Sequence, residues 1–156
     1  MSDPRASVEI DAPLEVVWQV MLDTASYAAW NPFVVGAETA EPPAVGNPIV
    51  LHVRWADGSR TTSPERITAI EPPVTDTEGT VTARLSYVYE GWPARLGLVR
   101  GTRHQRLTQR PGGPTTYDTV EEFSGPLVRF AGPGRVADGF RRHAEALRSH
   151  AERLAP

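Results

Sequence analysis

From Phe33 onward the apolar residues of this chain alternate with polar ones through six consecutive segments, and then the period changes once. That change constrains the fold more than any other feature. The segments read as strands near 33–40, 48–56, 60–70, 80–90, 98–109 and 115–124. A period of two is the mark of strands with one buried face. The last apolar set, Val136, Phe140, Ala144, Leu147, Ala151 and Leu154, is spaced by three or four, which predicts one helix of about 20 residues over 135–154. Short turns separate the strands, among them Asp57-Gly58, Gly91-Trp92-Pro93 and Gly112-Gly113, with Pro72-Pro73 and Glu78-Gly79 marking another. Consecutive strands joined by short turns predict an antiparallel meander.

The N-terminal part adds a seventh strand at Ser7–Asp11 and two short helices. The first opens at Asp11 or Ala12 as cap, with Pro13 in the first helical position, Glu15 at the positive end, and Val16, Val17, Val20 and Met21 on the apolar face. The second runs from Thr24 to Trp30 and is stopped by Asn31-Pro32. Leu127–Ala131 reads as one helical turn that Gly132-Pro133-Gly134 interrupts, and Arg141–Glu145 and Arg148–Glu152 as ion pairs on the wet side of the long helix. The class is α+β, a single domain over 1–156.

Composition narrows the chemistry. Among 156 residues there is no cysteine, so disulfides, thiolate metal sites and cysteine nucleophiles are excluded. All 16 basic residues are arginine, which excludes lysine Schiff bases. The arginine bias suggests a GC-rich bacterial genome, and the missing cysteines suit a reducing cytosol. A net charge of −3 gives no reason to expect a nucleic-acid partner. The first seven residues have no signal-peptide core, and no apolar run is long enough to span a membrane. Nucleophile-elbow, phosphate-loop, dinucleotide and zinc-helix motifs are missing. His143 and His150 are two helical turns apart, about 10 Å, too far to share a metal.

Several stretches resemble the START-like superfamily (SRPBCC, polyketide cyclase/dehydrase). They are Ile10-Asp-Ala-Pro-Leu-Glu-Val-Val-Trp18, Tyr27-Ala-Ala-Trp-Asn-Pro-Phe33, Glu71-Pro72-Pro73, Leu98-Val-Arg-Gly-Thr-Arg103 and Glu121-Glu-Phe-Ser-Gly125. The resemblance covers nearly the whole chain. It implies a helix-grip fold, in which a curved seven-stranded antiparallel sheet wraps a long C-terminal helix, with two short helices after the first strand. Members include aromatase/cyclases of polyketide pathways, carriers of lipids and hormones, and Hsp90 ATPase activators. The implied partner is a hydrophobic small molecule in an internal pocket, with no cofactor and no metal, bound by a monomer or homodimer.

Strand alternation assigns the pocket lining. It turns Tyr87 and Tyr89 inward on one strand, Arg103 and Gln105 on the next, and Tyr117, Thr119, Glu121 and Phe123 on the last. His52 and His104 point outward. A buried charge needs a partner, so Arg103 and Glu121 are expected to pair. The catalytic candidates are Arg103, to stabilise an enolate oxygen, Glu121 as general base and Tyr87 as acid. The ligand-binding candidates add Trp30 and Asn31 at the helix-to-strand corner, Tyr89, Gln105, Tyr117, Thr119 and Phe123 from the strands, and Phe140, His143 and Leu147 from the long helix. The expected activity is cyclisation or cyclisation with dehydration of a polyketide-like intermediate. The alternatives are a non-catalytic carrier or sensor for a lipid or apolar metabolite, and an activator-like interaction domain using the Arg141, Arg142 and Arg148 edge.

Overall fold

A computed structural model describes residues 3–155. Met1, Ser2 and Pro156, on which the expectations of no signal-peptide core and of one domain over 1–156 partly fall, lie outside the described residues. The strands are β1 (Arg5–Ile10), β2 (Val34–Thr39), β3 (Pro48–Arg54), β4 (Arg60–Thr75), β5 (Val81–Tyr89), β6 (Arg100–Gln109) and β7 (Thr115–Ser124). The helices are α1 (Leu14–Leu22), α2 (Tyr27–Trp30), α3 (Trp92–Arg95) and α4 (Pro133–Leu154). All seven strands form one antiparallel sheet in the order β1-β7-β6-β5-β4-β3-β2. This is the helix-grip fold.

The long helix is where the periodicity placed it, because its apolar stripe has the concave face of the sheet to cover. Val136, Phe140, Ala144, Leu147 and Ala151 are buried there with Ile10, Leu85, Leu107 and Tyr117 from the strands. The helix starts two residues earlier than expected. Gly132 adopts a left-handed backbone (φ 69°) that turns the chain, and Pro133 occupies the first turn, where no amide hydrogen is missed. The ion pairs on its wet side also differ. Asp138 accepts from both Arg141 and Arg142, and Arg148 reaches back to Glu145 (2.5 Å). Glu152 instead accepts the backbone N–H of Asp11 (2.8 Å), tying the end of α4 to the β1–α1 turn.

Three other local readings change. Helix α1 begins at Leu14, with Pro13 as its cap and the Pro13 carbonyl accepting from Val16 (3.0 Å) and Val17 (3.3 Å). The Pro72-Pro73 pair does not end its strand: β4 continues to Thr75 through an irregularity between Glu71 and Val74. The register with β3 runs only to Arg66, so this part of β4 pairs with β5 alone and a missing amide hydrogen costs nothing on its open side. Gly91-Trp92-Pro93 opens the short helix α3 rather than a plain turn.

Candidate active site

Between the sheet and the start of α4 lies a partly open cavity of about 230 Å³. Leu51 and Val53 of β3, Val99, Phe123, Val136 and Phe140 give it an apolar wall. Phe33 closes one side. Its ring lies over Gly139 of α4, where any Cβ would come within 2.2 Å of it. The polar groups in the lining are Thr61, Thr62, Ser63, Glu65, Tyr89, Arg103 and Glu121.

Arg103 is the centre of the arrangement. Although only 3% exposed, it lines the cavity. Its Nε donates to Thr119 Oγ1 (2.9 Å), and Nη2 donates to the Tyr117 hydroxyl (3.3 Å) and to His143 Nδ1 (3.4 Å). The guanidinium also lies 4.2 Å from the centre of the Phe140 ring, a cation–π contact. The Tyr117 hydroxyl in turn donates a hydrogen bond to Gln105 Oε1 (2.7 Å). Asn31 joins from the other side, donating to His143 Nδ1 (3.3 Å) while its Oδ1 accepts from the backbone of Phe33 and Val34 (3.0 Å each).

Two donors converge on His143 Nδ1, and an arginine can only donate. That nitrogen therefore carries no proton, and the ring is the neutral tautomer protonated on Nε2. Burial pushes the His143 pKa well below its ordinary value, and the charge of Arg103 lowers it further.

The expected Arg103–Glu121 ion pair is not formed. The two residues are direct cross-strand neighbours, but the guanidinium points toward Thr119, Tyr117 and α4. Glu121 Oε2 is buried without a hydrogen-bond partner among the described residues. Burial pushes Glu121 up to about 8, with the nearby charge of Glu65 raising it and that of Arg103 opposing. A carboxyl in such surroundings holds its proton, and a neutral acid does not need an ionic partner.

Of the residues assigned from sequence, Arg103, Glu121, Tyr89, Phe123 and Phe140 line the cavity. Tyr87, Gln105, Tyr117, Thr119, His143, Leu147 and Asn31 are buried behind that lining. Tyr87, the expected acid, does not line the cavity, and burial pushes its hydroxyl up to about 12. Trp30 stacks on His150 (5.5 Å, 7° between planes) and meets the His143 ring edge-on (5.8 Å), and it does not line the cavity. His104 is on the outer face as expected, bonded to Ser86 (2.8 Å) and Glu122 (2.5 Å).

Sequence reasoning missed Glu65, Ser63 and Trp55. Glu65 is in phase with Ile67 on β4, and a carboxylate on the parity of a core isoleucine was the available signal. Burial pushes Glu65 up to about 7, against the Ser63 hydroxyl (2.8 Å) and the charge of Arg103. Among the described residues no cluster of three or more His, Asp or Glu side chains could hold a metal. No helix among the described residues is long and apolar enough to cross a membrane.

A sheet gripping one helix over a cavity lined by apolar side chains, with buried charge on its inner face, defines the class of helix-grip proteins. Residues 1–152 match the model of one such family, and the chain belongs to it: polyketide cyclase/dehydrase and lipid transport. Among solved structures it is similar to the Zhui aromatase/cyclase of a Streptomyces species (TM-score 0.66, 19% identity, 97% of this chain and 94% of that one). It is also similar to a STAR-related lipid transfer protein fragment of Xanthomonas axonopodis (TM-score 0.65, 20% identity, 94% and 84%). These likenesses are of fold. A curated relative, the oxopyrrolidines biosynthesis cluster protein O of Penicillium oxalicum, is 29% identical over 109 residues, 58% of this chain. The match spans 53% of that protein, so the chain aligns with about half the length of the curated relative.

Proposed function

We propose that this chain binds an apolar small molecule in the cavity and acts as a cyclase or cyclase–dehydratase on a polyketide-like intermediate, without a cofactor. One observation carries the reading: a permanently charged Arg103 sits in the wall of an otherwise largely apolar cavity, next to a carboxyl with an oxygen that has no hydrogen-bond partner among the described residues. The family and the aromatase/cyclase likeness support it. The apolar wall would fold a flexible substrate and exclude water, so that much of the acceleration comes from orientation. Arg103, already desolvated and held by Thr119, Tyr117 and His143, would stabilise an enolate oxygen without reorganising. Glu121 would exchange the proton. Folded Arg103→Lys and Glu121→Gln variants should alter the product distribution from a linear poly-β-ketone substrate. Unchanged products from both would remove the proposal.

The Leu51, Val53, Val99, Phe123, Val136 and Phe140 wall favours a second reading, a carrier of an apolar metabolite. That reading expects a co-purifying ligand, recovered chemically intact in native mass spectrometry.

A further inference from the structure

Glu65 and Glu121 line the same cavity from strands that are not neighbours. Glu65 is on β4 and Glu121 on β7, with β5 and β6 between them. The intervening β6 is bare at Gly101, two residues from Arg103. A Cβ there would come within 3.0 Å of Glu121 Oε2 and 3.1 Å of the Phe123 ring. The missing side chain leaves room for the Glu121 carboxyl on the cavity floor.

The two carboxyls have different surroundings. Glu65 Oε2 accepts a hydrogen bond from the Ser63 hydroxyl (2.8 Å), which favours the ionised form. The buried Oε2 of Glu121 has no such donor among the described residues, which favours the protonated form. Each raised pKa follows this order, about 7 for Glu65 and about 8 for Glu121. The charged groups acting on Glu121 are Glu65 from β4, Arg103 from β6 and Asp3 from the segment before β1.

We infer that Glu65 and Glu121 work as a divided acid–base pair on an apolar ketone, Glu65 taking a proton from the carbon beside the carbonyl and Glu121 giving one to the carbonyl oxygen. The electron pair of the broken C–H bond becomes the C=C bond of the enol. The π pair of the C=O bond takes the proton from Glu121. Glu65 ends protonated and Glu121 ionised, and proton exchange with water at the cavity mouth restores both. Arg103, in the same wall, offsets the charge of whichever carboxyl is ionised. The inference rests on the proposed function and adds to it a base, Glu65, and a substrate class, enolisable apolar ketones.

The test uses α-tetralone in heavy water with the full chain, following loss of the α-proton signals by NMR. The wild type should exchange them faster than buffer. Glu65→Gln and Glu121→Gln, checked for folding by circular dichroism, should each lose about a hundredfold of that enhancement. Exchange within about twofold of wild type in either folded variant overturns the inference, as does a wild type no faster than buffer. Titration of the glutamate carboxyl carbons by NMR tests the pair without any ligand. Glu65→Gln should lower the Glu121 midpoint by removing a neighbouring negative charge, and an unmoved midpoint overturns the pairing. A chain that exchanges the ketone through both carboxyls yet forms no ring from a polyketide fails the cyclase proposal and leaves the pair standing.

Discussion

Arg103 and Glu121 stand opposite each other on β6 and β7, and the arginine bonds past its neighbour to Thr119 and Tyr117. The choice has a physical basis. Ionising a buried carboxylate carries a large desolvation cost, whereas a protonated one carries far less. The guanidinium cannot shed its charge, so it takes the available hydroxyls, an imidazole nitrogen and the face of Phe140.

Arg103→Met should therefore do two separable things. It removes donors to Thr119, Tyr117 and His143 and leaves buried acceptors short of partners, a loss of about 1–3 kcal/mol in urea unfolding. It also removes the positive charge that holds Glu65 and Glu121 down. Their NMR titration midpoints should move upward in the variant; a downward movement would contradict the assignment.

Above about 6.5, the ordinary value below which an unfolded His143 gains a proton that the buried ring does not, stability should fall as pH rises. Both carboxyls are raised from an ordinary 4.5, to about 7 and about 8. Between the unfolded and folded values the native state holds protons that the unfolded chain has lost. Stabilisation is thus complete below about 4.5 and is lost as pH climbs through the folded values, with a limiting slope of about 1.4 kcal/mol per pH unit for each proton. Urea midpoints should be lower at about pH 8.5 than at about pH 6.5, a range over most of which His143 is neutral in both states. The decline should flatten in the Glu65→Gln, Glu121→Gln double variant. A flat wild-type profile would refute the burial of these acids.

Gly139→Ala tests the cavity wall. The new methyl would have to displace the Phe33 ring, which packs edge-on against Trp55 and Phe140. Overpacking of this kind costs about 1–3 kcal/mol. Because Phe33 is part of the lining, uptake of an apolar dye should change along with the melting temperature. An unchanged melting temperature would mean the ring moves freely.

Asn31→Ala should be costly for its size. The Asn31 side chain satisfies the backbone amides of Phe33 and Val34 and donates to His143. Its removal orphans buried donors, at about 2–4 kcal/mol in total. Asn31→Asp keeps the acceptor but not the donor, and should fall between Ala and wild type in thermal unfolding.

The architecture was legible because alternation in the strands and the three-to-four spacing of α4 report burial directly. Leu85, Leu107, Phe140 and Leu147 all face where their spacing put them. The site was legible only in part. Period-two parity tells which face a side chain shares, so Arg103, Gln105, Thr119 and Glu121 were grouped correctly as inward. Parity does not tell how far along the groove the cavity extends. Gln105, Tyr117 and Thr119 are therefore inward but packed under α4, while Glu65 and Ser63 reach open space. Nor does parity tell rotamers, which is why Arg103 and Glu121 looked like an ion pair. Ser86 is outward by parity and still buried, because His104 covers it.

The fixed charge of Arg103 beside two titrating acids gives the cavity an electrostatic sign that depends on its surroundings. With both acids protonated, the three groups carry a single positive charge. Once Glu65 passes about 7 and Glu121 about 8, they carry a single negative one. One set of walls thus presents an anion-attracting interior in mildly acidic solution and a cation-attracting one in alkaline solution. On the proposed reading, selection among guests of the same shape would follow the proton count of the host.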